Sequence, residues 1–374
     1  MTFLHSFQRL ADELTPCTLR RVPVLSADKY VLASGLQKSI RRGEVNRAAS
    51  FALSLAHADR RMLWRRLLVI VFEDIGIANP ELMIQTLAAS QSPLERRKAG
   101  DVEVAVHLAK KMAGSVKSRF MTEALSLTDL GQGLSSLRKS LPKLSNRKLA
   151  TITLDPAQDA QTRFLALWGL AGTKAFPAKG FKREAGDLIA AAKTLRALPV
   201  PEELTEACIA GLKSMPWPLV LFAPLAAAVV QTQDCRIKTT QPCSSPEFEG
   251  IPMYAIDGLY TRLGQASLRQ LQKQTPALEG YSPVQMGETL FFIEGEGMNR
   301  RLTSDSLSAF RLAGIEALMT HLGLTAREYR ILQKTIIRQW DTLNDLRLRQ
   351  FERSLHGAAE GLFAGVSGGA DDGR

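Results

Sequence analysis

Residues 27–42, ADKYVLASGLQKSIRR, set Tyr30, Leu32, Ala33, Leu36 and Ile40 on one side of a helix, with Asp28 near its start and Gly43 just past its end. Lys38, Arg41 and Arg42 crowd its last turn, where cations complement the helix dipole. A second helix over 45–57 repeats Ala48, Phe51, Ala52 and Leu55, and Asp59 is placed to cap a third that begins at Arg60. At about 100° per residue, Leu63, Trp64, Leu67, Ile70 and Val71 share one face of that third helix, whereas Arg61, Arg65, Arg66 and Glu73 fall outside it. Asp74 projects onto the apolar side, where its charge requires a cap, an ion pair or hydrogen bonds. Gly76 then lets the chain turn, Asn79 caps the next helix, and Pro80 takes its first position, where no amide hydrogen is needed.

From Pro80 to about Leu130 the pattern stays helical, with a basic cluster at Lys110, Lys111, Lys117 and Arg119, until Gly131 and Gly133 break it. Residues 134–250 read as further helices between proline-containing turns. Ser214–Gln233 carries no charge and approaches the ~20 residues that span a bilayer. Pro216, Pro218 and Pro224 interrupt it, so it reads as a buried core helix opened by proline. QTQDCRIKTTQPCSSPEFEGIP, 231–252, is rich in turn formers and reads as a linker. Beyond it the pattern predicts a helix over 305–322, a capping box at Thr325–Glu328 and helix to about Leu355, before a Gly- and Ala-rich, disordered end. The expectation is an all-α, multi-helix fold. It comprises a collar-like N-terminal helical domain (1–130), a helical middle region (131–230), the linker (231–252), a C-terminal helical domain (253–357) and a tail (358–374).

Composition supports helices, since aromatic residues make up only 6% of a chain rich in Leu and Ala. Charge adds something new. The net charge is +11, and residues 1–122 hold 19 Lys and Arg against 11 Asp and Glu, the electrostatic footprint of a phosphate-binding surface. Cys17, Cys208, Cys235 and Cys243 form no Cys-x-x-Cys pair and have no nearby His, which points away from a zinc site or a disulfide framework. The first residues lack the basic-then-apolar order of a signal peptide, so a cytoplasmic protein with reduced cysteines is expected.

Candidate chemistry is sparse. No Gly-x-x-x-x-Gly-Lys-Ser/Thr or Gly-x-Gly-x-x-Gly sequence is present to cradle phosphates, and the five histidines are scattered outside any zinc or serine-hydrolase motif. No cofactor or metal is implied. Lys38, Arg41, Arg42, Arg60, Arg61, Arg65 and Arg66 either neutralise phosphates or form a solvated face with internal pairs such as Arg66 with Glu73. Adjacent carboxylates shift each other's pKa, but Glu73 and Asp74 diverge by about 100° on a helix and cannot easily share one ion. A structural role for Asp74 is favoured. In YAIDGLYTRLGQASLR, Asp257, Tyr260, Thr261 and Arg262 form either a small polar site or a helix start at which Asp257 caps and Arg262 is exposed.

SGLQKSIRRG at 34–43 and RRLLVIVFEDIGIANPEL at 65–82, with LAKKMAGSVKS at 108–118 as a weaker third match, resemble a known family. They are similar to the C-terminal helical region of the replication-associated recombination protein A family, the MgsA-type AAA+ ATPases related to clamp loaders. The resemblance covers roughly the first third of the chain. It implies an all-helical, oligomerising collar and a setting at stalled replication forks, with single-stranded DNA and its binding protein as partners. With no ATPase domain in this sequence, it implies no activity. Glu73, Asp74, Gly76 and Pro80 would be a family signature that fixes the corner between two collar helices. Shorter relatives on phages and mobile elements carry an Asp-x-His-Thr-like sequence; the Asp257–Gly264 stretch is similar, with Tyr260 at the His position.

Three functions are open on this reading. The first is a non-enzymatic accessory protein of DNA replication, repair or recombination, or of a mobile element, that contacts single-stranded or forked DNA through Arg41, Arg42, Arg61 and Arg65, or contacts a replication or single-strand-binding protein. The second is a homo-oligomeric helical scaffold without DNA contact. The third is an enzyme with its site at Asp257, Thr261 and Arg262, which requires those side chains to line one pocket.

Overall fold

The computed structural model describes residues 3–14, 19–177, 179, 182–215, 217–242, 244–295 and 297–364. These residues form an all-α, multi-helix fold with two short β-ribbons. The first third holds α1 (Phe3–Asp12), α2 (Lys29–Arg42), α3 (Val45–Ile70), α4 (Pro80–Gln91), α5 (Pro93–Lys98), α6 (Asp101–Gly114) and α7 (Phe120–Leu130). The middle holds α8 (Ser135–Ser140), α9 (Asn146–Leu154), α10 (Ala160–Ala171), α11 (Leu188–Arg196), α12 (Glu202–Ser214) and α13 (Pro218–Gln231). After β1 (Arg236–Thr239), β2 (Glu247–Phe248) and β3 (Ile251–Pro252) come α14 (Arg262–Gln274), α15 (Pro283–Gly295), β4 (Arg300–Thr303), α16 (Asp305–His321), α17 (Ala326–Arg338) and α18 (Trp340–Ala364).

Local chemistry sets the helix ends. Asp28 accepts the Tyr30 amide at 2.8 Å, and Gly43 closes α2 at φ +75°. Asp59 leaves the helical region at φ −161° and its Oδ1 accepts the Met62 amide at 2.9 Å, so the second and third expected helices join end to end as α3 with a kink. Asn79 caps α4 ahead of Pro80, and Thr325 and Glu328 form the expected reciprocal box on α17.

Packing departs from the periodicity at α2. Every residue from Val31 to Arg41 is buried, whereas Tyr30, assigned by its spacing to the apolar side, is 50% exposed. A helix covered on all sides has no solvent face on which to place its cations. The expected linker also has structure: β1 pairs antiparallel with β4, and Ile251 and Met253–Ile256 are buried in the same apolar core as α2 and α3. A second core, among them Leu268, Leu290, Leu332 and Leu346, begins beyond Ile256.

α13 is the expected buried helix, with Pro218 in its first turn and residues 218–229 buried; no helix among the described residues is long and apolar enough to cross a membrane. α18 carries helix to Ala364, past the start of the expected tail, and the remainder of that tail lies outside the described residues. So do Cys17 and Cys243, while Cys208 and Cys235 are free thiols.

Candidate functional site

The two adjacent carboxylates sit where α3 ends. Instead of continuing as α-helix, the chain widens into a π turn at Val71–Ile75, a local geometry that recurs at functional sites. The turn is held from α7's entry: the Ser118 amide donates to the Asp74 carbonyl at 2.9 Å, and Thr122 Oγ1 donates to the Glu73 carbonyl at 3.3 Å. Gly76 leaves it at φ +52°, and a Cβ there would stand 2.7 Å from the Ser118 carbonyl oxygen, so only glycine permits this approach.

Asp74 is fully buried and doubly hydrogen-bonded. Arg41 Nε donates to Oδ1 and Gln37 Nε2 to Oδ2, both at 2.7 Å. The same Gln37 nitrogen reaches Glu73 Oε2 at 3.1 Å, and its carbonyl oxygen accepts from Arg66 Nη2 at 2.6 Å. One amide thus joins both carboxylates to Arg66, and the expected direct Arg66–Glu73 pair is replaced by this relay. Burial pushes the Glu73 carboxyl above the ordinary carboxylate range, the Asp74 charge pushes it further, and Arg66, Arg41 and Arg119 pull the other way. Arg119 Nε lies 3.9 Å from Asp74 Oδ1, and burial, then the neighbouring Arg41 charge, lower its pKa. The rings of Phe291 and Phe292 cover these guanidiniums, with Arg41 4.9 Å from the Phe291 centroid and Arg119 5.9 Å from that of Phe292.

One turn back on α2, Lys38 enters a second buried cluster. Its Nζ lies 2.7 Å from Asp257 Oδ2, donates to the Tyr254 carbonyl at 2.9 Å and pairs with Glu294, whose other oxygen lies 2.8 Å from Arg347 Nη2. Asp257 Oδ1 accepts the Leu259 and Tyr260 amides at 2.7 and 2.9 Å. Burial alone would raise this carboxyl; the Lys38 charge and these hydrogen bonds bring it down to about 2. Tyr254 OH reaches Ser39 Oγ at 2.9 Å and also donates to Glu44.

The seven candidate cations therefore do not form one surface. Lys38 and Arg41 are interior and neutralised by carboxylates, because α2 is enclosed. Arg42 is mostly covered, pairs with Glu44 at 2.7 Å and stacks 4.6 Å from the Tyr254 ring centroid, and Arg66 is half-buried. Arg60, Arg61 and Arg65, just after the Asp59 kink, remain in solvent; Arg60 Nε lies 3.6 Å from Asp101.

The Asp257 quartet is also divided. Asp257 and Thr261 are buried, and Thr261 Oγ1 caps α14 by accepting the Gly264 amide at 3.0 Å. Tyr260 is 56% exposed and Arg262 is exposed, so the four do not line one pocket.

The junction unites Asp74 and Asp257, nearly half the chain apart in sequence, through two turns of one helix. Sequence reading missed Gln37, Tyr254, Glu294 and Arg347. Arg119 was visible as the end of a basic run, but nothing in the local pattern around Glu294 or Arg347 marks them as partners of α2. Among the described residues no group of His, Cys, Asp and Glu is arranged to hold a metal ion. With both Asp74 oxygens hydrogen-bonded and no exposure, the pair suits bracing rather than exchange with a ligand. The chain matches no protein-family model, no curated protein and no solved structure.

Proposed function

We propose that this chain is a non-ATPase accessory protein of DNA replication or recombination, or of a mobile element, that engages the phosphate backbone of single-stranded or forked DNA through the exposed start of the second half of α3. The observation that carries this reading is the division of the basic cluster. Its buried members are balanced by carboxylates, whereas Arg61 and Arg65, one turn apart, stand exposed beside Arg60. The charged junction behind them would hold the π turn and the C-terminal segments as one frame, in the manner of the collar corner that the sequence resembles. A replication or single-strand-binding protein, and other copies of this chain, are the partners that the same resemblance suggests.

Fluorescence-anisotropy titrations with single-stranded, duplex and forked DNA over a salt series test this. The wild type should show a steep fall of affinity with salt, and Arg61→Ala/Arg65→Ala should reduce the slope by about two. Absence of binding at low salt, or an unchanged slope in the double variant, would overturn it. In that case a self-assembling scaffold becomes the better account, visible as an oligomer by light scattering.

A further inference from the structure

α17 packs its inner side into the second core, where Leu332 and Ile336 are buried. At about 100° per residue, Arg327, Arg330, Lys334 and Arg338 fall within an arc of about 80° on the opposite side. All four are exposed. Ile337 and Ile331 stand at the two edges of that arc, and they too are exposed.

The protein does not balance these charges. None of the four cations makes an ion pair among the described residues, and Arg330 Nε donates to the Ala326 carbonyl of its own helix at 3.0 Å. Glu328, the one carboxylate of α17, falls about 80° outside the arc. It is committed to the helix start, accepting the Thr325 amide at 2.8 Å and the Thr325 hydroxyl at 2.7 Å. Arg327 stands in the first turn, where a cation opposes the helix dipole, so its place there does nothing for α17 itself. The contrast with α2 is direct, since Lys38 and Arg41 are buried against carboxylates.

Successive cations are three or four residues apart, which spaces them along one row of about 16 Å. A nucleic-acid strand carries a phosphate about every 3.4 Å of duplex axis, so the row faces about five of them. A helix that lies on a membrane turns an apolar side to the lipid and keeps its cations on the polar side. In α17 the apolar side is taken up by the core, and the outward face has cations along its middle and isoleucines at its margins. We propose that the outward face of α17 is a second nucleic-acid surface, one that follows the phosphate backbone of a single strand. The choice of nucleic acid as ligand rests on the function proposed above. The location does not, because α17 belongs to a different core from the α3 arginines.

Fluorescence anisotropy with a single-stranded oligonucleotide over a salt series tests this on the full chain. Arg327→Gln/Lys334→Gln/Arg338→Gln alters exposed side chains and keeps good helix formers, so its urea midpoint should match that of the wild type. It should flatten the salt slope by about two, whereas Arg327→Lys/Arg338→Lys should keep the slope. A slope unchanged by the triple variant, in a wild type that binds, overturns the α17 surface and leaves the α3 reading standing. A slope lowered by the triple variant but not by Arg61→Ala/Arg65→Ala supports α17 and removes α3. Absence of binding by the wild type at low salt removes both. Phosphatidylserine vesicles whose binding the triple variant loses, with its DNA binding intact, would make α17 a membrane surface instead. Polyglutamate that displaces the oligonucleotide as well as unlabelled DNA of equal charge does would point to an acidic protein, and either result overturns the proposal.

Discussion

Arg41 Nε donates to Asp74 Oδ1 at 2.7 Å, and neither side chain has any exposure. The bond crosses from the last turn of α2 to the π turn that ends α3, so it links two residues 33 positions apart in sequence. Arg41 Nη1 and Nη2 have no hydrogen-bond partner, which leaves Asp74 as the main compensation for a charge held out of water.

Removing one partner of such a pair strands the other. Asp74→Ala is expected to lower stability by about 3–5 kcal/mol in urea denaturation, while Arg61→Ala/Arg65→Ala, at exposed positions, should change it by less than about 0.5 kcal/mol. Replacing both members, Arg41→Met/Asp74→Leu, should recover most of the loss. If Asp74→Ala weakens DNA binding more than it weakens folding, the bracing role assigned to Asp74 is wrong.

Glu73, one residue away, should respond in the opposite sense. Its folded-state pKa is raised by burial and by Asp74, so its ionised form costs stability above the unfolded-state value and the cost vanishes as pH falls below it. Glu73→Gln keeps an acceptor for Gln37 and should raise the urea midpoint at pH 7, with the gain shrinking toward pH 4. A lowered midpoint at pH 7 would show that Arg41, Arg66 and Arg119 need both carboxylates charged.

Asp257 predicts the acid limb of stability. Its carboxyl is depressed to about 2, so its contribution is complete above the ordinary value of 3.8 and is lost as pH falls through 2. The amount is about 2 kcal/mol. Denaturation curves from pH 7 to pH 2 should show this loss in the wild type. Lys38→Met, which removes the cation 2.7 Å away, should be less stable at pH 7 and flatter below pH 4.

Local sequence by itself marked several of the helix ends. The Asp28, Asn79 and Thr325 caps, Gly43 at positive φ and the proline-led α13 follow from interactions within about four residues, which local spacing encodes. It also established that Asp74 needed a partner, because a carboxylate on an apolar face is too costly to leave alone. Which partner it took depended on tertiary structure. Lys38, Arg41 and Arg42 looked like one basic helix end, yet Lys38 meets Asp257 and Glu294, over 200 residues downstream, and Arg41 lies against Phe291. The same holds for Lys238 and Arg301, which become neighbours only because a stretch that reads as a linker pairs with a strand some sixty residues on. A helix's own pattern reports that it has an apolar side; how many of its other sides are covered, and by what charge, is decided by segments distant in the chain.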